Sequence, residues 1–387
     1  MSNTLKLGNG KWATGKDTLL SFSDTNNNYK PLPFSFSRAS SGTVINKDGL
    51  IETVGAGEPR IDFKDNTKGS LLLEPTRSNL FPYSEAISNS SPKSGTFVDN
   101  FAISPDGTQN ATKLTAINTD PYFYQSVAVG SGDYTISVYV KGIGSTIGKE
   151  FLLILGSGIN STPQTITGEW KRFTFSGTLS AGTTIRGLEI PNPAVSGDEL
   201  LVWGLQLEQG SYATSYIPTS GSAVTRVIEV CNNGANEQVI NSTEGVLYAE
   251  IKGFISQDTT EPNRYITITN GTSNERVALL LGGNLNQLRA IIYSSTQSIN
   301  LSFTTSLTDV KQFNKLAVKY KSGDYAFFLN GAKIGGSTET SIFSQNTLND
   351  FSFDVGGGTQ QFRGMVKDVR LYNTALTDQE LIALTTI

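Results

Sequence analysis

The chain has 387 residues, and 30 Lys+Arg against 34 Asp+Glu give it a formal charge of −4, so it lacks the concentrated basic face that phosphate backbones demand. It contains no histidine and a single cysteine, Cys231. That excludes His-based triads and acid–base pairs, His-ligated zinc, intrachain disulfides and clusters held by several thiolates.

Charged residues make up 17% of the chain, against about 25% in an average soluble domain, and Ser, Thr, Asn and Gly fill the polar surface instead. That palette favours short strands and turns over helices. At roughly 150 residues per domain the length suggests two or three domains. No apolar run approaches the ~18 residues of a membrane span. The opening residues, MSNTLKLGNGKW, lack the apolar core of a signal peptide, and packing without disulfides fits folding in a reducing cytosol.

Residues 1 to about 80 read as an extended arm with hairpins. Trp12 and the stretch Thr25-Asn26-Asn27-Asn28 come early, and Pro31 and Pro33 then forbid helix. Thr43-Val44-Ile45-Asn46 and Leu50-Ile51-Glu52-Thr53-Val54 flank Asp48-Gly49, a hairpin signal because glycine accepts the positive φ of the turn. Arg60-Ile61-Asp62-Phe63 and Ser70-Leu71-Leu72-Leu73 look like two more strands.

From about Asn79 to Arg226 the strands lengthen. Tyr134, Ile136, Val138 and Val140 alternate with Thr135, Ser137, Tyr139 and Lys141, the period of a half-buried strand. Phe151 to Leu155 is a continuous apolar run suited to a strand covered on both sides. Phe173 and Phe175 follow Trp170. Leu201, Trp203, Leu205 and Leu207 alternate with Val202, Gly204, Gln206 and Glu208, and turn clusters between the runs imply an antiparallel sandwich. Residues 227–244, rich in Asn and Glu, read as a connector.

A second sandwich is predicted from Gly245. Arg264 to Thr269, Asn270-Gly271 and Arg276 to Leu281 read as a hairpin. Leu288 to Tyr293, Lys315 to Tyr320, and Tyr325 to Leu329 turning at Asn330-Gly331 supply further strands. Thr377-Asp378-Gln379-Glu380 before Leu381-Ile382-Ala383-Leu384 is a capping box, which predicts one short C-terminal helix.

Several of these stretches carry a resemblance. Phe313 to Tyr320, Phe328-Leu329-Asn330-Gly331, Gly364 to Asn373 and Ala375 to Leu381 are similar to the concanavalin A-like, laminin-G-like jelly rolls over residues 245–387. Ser37-Arg38-Ala39-Ser40-Ser41-Gly42, Asp48 to Glu52, Pro59 to Phe63 and Leu71 to Leu80 resemble modules of tailed-bacteriophage head-spike and tail-fibre proteins. So do Trp203 to Gly210 and Ala213 to Thr219, which close a carbohydrate-module-like sandwich. The resemblance implies a virion protein at the head or tail surface, homotrimeric, contributing to host attachment.

The chemical candidates are few. Asp198, Glu199, Glu208 and Asp354 could supply the two facing carboxyls of glycoside hydrolysis, although surface charge or structural hydrogen bonding is the ordinary use of such groups. Asp258 and Asp354 lack the dense oxygen set of a calcium site. Gly356-Gly357-Gly358 lacks the Lys-Ser/Thr and long helix of a phosphate loop and reads as a tight turn. Sugars are held by aromatic faces and planar polar groups, which singles out Tyr122 and Tyr124 in one sandwich and Asn263, Arg264 and Tyr265 in the other. Alternation puts Tyr122 and Tyr124 on one face, where core packing is the ordinary explanation.

The expectation is therefore an all-β chain: an extended N-terminal hairpin arm, residues 1–78, for virion anchoring and assembly; a β-sandwich, 79–226; a linker, 227–244; and a second jelly-roll sandwich, 245–387, ending in the helix. It is expected to be no enzyme, to need no cofactor or metal, and to bind neither nucleic acid nor membrane. Its expected partners are other virion proteins through the arm, host surface glycans, and two further copies of itself. Rival readings are a fibre-borne carboxylate-dependent depolymerase and a capsid-stabilising decoration without glycan binding. Its expected location is the virion, after synthesis in the bacterial cytoplasm.

Overall fold

The computed structural model describes residues 4–23, 30–91, 93–190, 194–257, 263–306 and 309–387. The Asn-rich stretch 25–28 and Asp258 lie outside them. The chain is nearly all β, in several antiparallel sheets, with a single α-helix among the described residues, at the C-terminal end. Among the described residues no helix is long and apolar enough to cross a membrane.

Two compact units emerge, and their boundaries differ from the serial arrangement expected of the sequence. One comprises Met1–Ala39, Val54–Pro75 and Ile228–Ile387, and the other Ser40–Thr53 and Thr76–Val227. Residues 1–78 are thus divided between the units and do not stand as a separate arm.

The reason is visible in the first unit. Its final strand, Gly364–Tyr372, pairs with Glu244–Lys252 on one side. On the other side it pairs with Leu5–Gly8 and with Ser70–Leu73. These early strands cover an edge that would otherwise present unpaired N–H and C=O groups. Together with Thr18–Ser23 and Lys30–Ser37 they carry Leu5, Leu7, Leu19, Phe34, Leu71 and Leu73 into the same buried cluster as Leu247, Val277, Leu316 and Phe327. Residues 227–244 do more than connect. Val230–Asn232 is a strand paired with Lys30–Ser37, and Cys231, Val239 and Ile240 are core residues. The second sheet of this unit runs in the order Ile299–Ser306, Gln287–Ser294, Glu275–Leu281, Arg264–Thr269, Asp350–Ser352. The expected hairpins at Asn270-Gly271 and Asn330-Gly331 form. At the second, Asn330 and Gly331 have φ of 48° and 83°, as the twist-matched two-residue turn requires.

The second unit packs two sheets. One runs Thr96–Ile103, Gln109–Thr115, Glu199–Gln209, Gly132–Ile143, Lys171–Leu179. The other runs Lys93–Ser94, Tyr122–Val129, Gly182–Glu189, Glu150–Gly156, Ile159–Asn160. Ile136, Val138 and Val140 fill the space between them, as the alternation predicted, and so do Phe151, Leu153 and Leu155, whose strand is not covered on both sides as its apolar run suggested but turns Leu152 and Ile154 to the other face. One alternation is broken. Leu205 and Leu207 face this core with Leu200 and Val202, whereas Trp203 lies on the opposite face with Ile51, Ala111 and Tyr216. The register shifts between the pairs Ser137–Gln206 and Tyr139–Trp203, and Gly204 sits there with φ 68°. An extra residue at a left-handed glycine is a bulge that inverts the face presented by everything beyond it. The hairpin Gly42–Ile45 and Ile51–Val54 forms as expected, and its Ile45 and Ile51 pack with the displaced Trp203.

Candidate functional site

The strand Tyr122–Val129 decides the chemistry of the second unit. Phe123 is fully buried between the sheets, so Tyr122 and Tyr124, one residue to either side, face outward. Neither tyrosine belongs to the core between the sheets. Their rings stack on each other with centroids 4.7 Å apart and planes 17° apart. Tyr122 is half-buried and Tyr124 nearly covered.

Across the sheet, Tyr122 registers with Glu189 on one side and Ser94 on the other. Glu189 in turn registers with Leu152. Tyr124 Oη donates to Glu189 Oε2 at 2.5 Å, which fixes the phenol ring and the carboxylate together. Burial, the Glu189 hydrogen bond and the charges of Glu189 and Asp120 all push the Tyr124 phenol well above its ordinary range. It therefore stays a neutral donor. Tyr124 registers with Gly187, where an added Cβ would meet the Phe123 carbonyl oxygen at 2.0 Å. Only glycine lets the two strands close there. The outward face thus combines a stacked aromatic pair, a carboxylate, the edge of Leu152 and small polar groups.

The other glycan candidates are placed differently. Arg264 and Tyr265 open the strand Arg264–Thr269 but are 2% and 5% exposed. Tyr265 packs among Ala278, Leu280, Ile291 and Val355, so it offers no open face, and Asn263 beside it is half-buried. On that sheet the more exposed aromatic is Tyr293, with the Arg276 guanidinium 4.9 Å from its ring centroid.

The carboxylates do not form a facing pair. Asp198 is bonded by Lys149 Nζ, by Ser145 Oγ at 3.0 Å and by the Val195 N–H at 2.8 Å. Burial pulls its pKa upward, but these bonds outweigh it and hold the carboxyl below its usual value. Glu199 is held low by its own partner, Lys113, at 2.7 Å. Glu208 is completely buried and accepts from Gln206 Nε2, the Thr214 N–H and Thr214 Oγ1. It ties the strand Glu199–Gln209 to the turn that follows. Asn79 does the same from the other side: its amide donates to the Leu205 and Ile217 carbonyls and its oxygen accepts from the Phe81 and Leu207 N–H groups. Both residues are structural.

Asp354 explains the three glycines after it. Gly356, Gly357 and Gly358 have φ of 93°, 80° and 80°, and the Gly356 N–H reaches Asp354 Oδ1 at 2.6 Å. The loop therefore wraps its own carboxylate, a structural turn rather than a phosphate cradle. Among the described residues no group of three or more Asp, Glu or Cys side chains is placed to hold a metal ion.

The sequence did not point to Glu189, Leu152 or Glu150. Their place beside the tyrosines follows from strand register, and no local pattern encodes which strands pair. The buried ion cluster of the first unit was equally silent. Arg60 pairs with Glu229 at 2.6 Å and Glu74 at 2.8 Å, and Arg38 reaches Glu229 at 3.1 Å.

Residues 254–382 match a family model described as the concanavalin A-like lectin/glucanases superfamily. No curated protein matches the chain. Among solved structures, the CBM40 of the Ruminococcus gnavus IT-sialidase bound to alpha2,3 sialyllactose is 18% identical, over 38% of this chain and 83% of that one, with a TM-score of 0.33. Domain 4 of AbnA, an extracellular arabinanase from Geobacillus stearothermophilus, in complex with arabinotriose, is 17% identical over 46% and 81%, with a TM-score of 0.33. Domains LG4-5 of the mouse laminin alpha1 chain are 8% identical over 67% and 89%, with a TM-score of 0.26. These are loose likenesses.

Proposed function

We propose that this protein is a non-catalytic glycan-binding protein. The carrying observation is the outward pair Tyr122 and Tyr124, stacked at 4.7 Å and braced by Glu189. An aromatic face with a few fixed polar groups is what holds a pyranose, since its C–H surface packs on the ring while its hydroxyls find acceptors. The family model matched by residues 254–382 supports a lectin-type reading of the other unit. The absence of catalysis rests on the candidate carboxylates, each engaged with its own lysine or enclosed by its own loop.

The experiment is a glycan array with the full chain, followed by titration of the hits against Tyr122→Ala. The variant is expected to weaken binding at least about tenfold, the scale of losing an aromatic anchor. Hits unaffected by Tyr122→Ala would move the site elsewhere. An array without hits would favour a decoration or stabilising role. Release of reducing ends from a bound polysaccharide would revive the depolymerase reading.

The finer reading concerns where the binding is used. We place the protein on the surface of a bacteriophage particle, head or tail, as a homotrimer seated against other virion proteins. The support is the resemblance carried by Leu71 to Leu80 and by Trp203 to Thr219. Light scattering should return three times the 41.6 kDa chain mass. Antibody labelling of particles in electron micrographs should decorate the head or tail, and a monomer absent from particles would overturn this placement.

A further inference from the structure

Among the described side chains, strand alternation shows which face outward on the platform, and the charged ones are of one sign. In Glu150–Gly156 the residues Phe151, Leu153 and Leu155 are core, so Glu150, Leu152 and Ile154 face outward with the tyrosines. Glu189 stands between Tyr122 and Leu152. Asp120 is exposed two residues before Tyr122, near enough for its charge to act on the Tyr124 phenol. The remaining outward groups are neutral: Ser94, which registers with Tyr122 and accepts from Asn118 Nδ2 at 3.0 Å, and Asn160 and Thr165, which register with Ile154 and Glu150.

The nearby cations are directed away. Lys93 registers with the inward Phe123, donates to the Ser88 carbonyl and lies 5.4 Å from the Phe97 ring centroid. Arg186 is 1% exposed and donates to the Val127 carbonyl. The described platform therefore sets an aromatic pair among Glu150, Glu189 and Asp120 with no cation turned toward it. An anionic sugar would be repelled, and a cationic one would gain attraction that a neutral one lacks.

We infer that the platform selects a cationic glycan, a hexosamine polymer with free amines, held by stacking on Tyr122 and by its ammonium groups against Glu189, Glu150 and Asp120. This inference rests on the glycan-binding reading above and names the class of ligand for that site.

The test is calorimetric titration of the full chain with three hexamers, of glucosamine, of N-acetylglucosamine and of glucose, at low and raised salt and slightly acid pH. The glucosamine hexamer should bind at least about tenfold more tightly than either neutral hexamer, and the margin should shrink as salt screens the carboxylates. Glu189→Gln should cut the preference to about threefold or less, and so should the exposed Glu150→Gln, which bonds to nothing in the fold's interior. Tyr122→Ala should abolish binding of all three. Equal binding of amine and acetyl hexamers, lost in Tyr122→Ala, would sink the inference and leave the glycan platform standing. Glucosamine binding that survives Tyr122→Ala would be bulk attraction of a polycation and would also sink it. No binding of any hexamer, with none on a wider array, would remove the platform itself.

Discussion

A guanidinium sealed from water must be neutralised by its surroundings, and Arg60 shows how this chain does it. Its side chain and that of Glu229 have no exposure, and burial, which alone would disfavour the charge, is outweighed by Glu229 and Glu74. The four-residue cluster joins Arg38, Arg60, Glu74 and Glu229, drawn from three separate stretches of the first unit. Arg60→Met should cost about 3–5 kcal/mol in denaturant unfolding, because it takes a buried cation from both Glu74 and Glu229, of which Glu229 keeps Arg38. A loss below about 1 kcal/mol would mean that water reaches the cluster. None of this was legible in the sequence, where Arg60 and Glu74 appear only within recognisable motifs. Glu229 appears in a stretch read as a linker. Buried charge is encoded by partners distant along the chain, and a one-dimensional pattern does not report them.

Elements were more legible than partners. The capping box at Thr377 forms in full, with Thr377 Oγ1 accepting the Glu380 N–H and Glu380 accepting the Thr377 N–H. Capping was readable because it involves residues three apart. The first helical residue, Asp378, adds something tertiary, since it accepts from Lys319 at 2.6 Å and Lys333 at 2.7 Å. Those two bonds hold its carboxyl below the ordinary 3.8. A depressed acid contributes stability that is complete above its unfolded value and is lost as pH falls through its folded value. Asp378→Asn should therefore melt earlier than the parent near neutral pH, and the gap should close in strong acid; a gap constant with pH would point to packing instead. The bulge at Gly204 makes the opposite lesson concrete. Strict alternation puts Trp203 with Leu205, and a single left-handed residue sends it to the other face. Gly204→Ala should cost roughly 1–2 kcal/mol from the left-handed backbone alone. It should also disturb the near-ultraviolet signal of Trp203, where an added Cβ would meet Tyr139 at 3.2 Å. An unchanged melt would mean that the strand re-registers without the bulge.

At the scale of the whole molecule, the two units alternate along the sequence, and the chain passes between them at 39/40, 53/54, 75/76 and 227/228. Residues 245–387 expressed alone would lack Leu5–Gly8 and Ser70–Leu73, leaving one edge of Gly364–Tyr372 unpaired. That fragment should aggregate where the full chain stays in solution, and a monodisperse, native-like fragment would show that the early strands are accessory. The sequence by itself determined the all-β class, many of the longer strands, the hairpin turns, the terminal helix and the exclusion of histidine and thiol chemistry, because those are fixed by composition and by patterns a few residues long. Which strands pair, that Tyr122 looks outward beside Glu189, and that the first seventy-odd residues complete two different sheet structures were decided only in three dimensions. Pairing is settled by which exposed edges and apolar faces compete most strongly for burial, and that competition is between residues hundreds of positions apart.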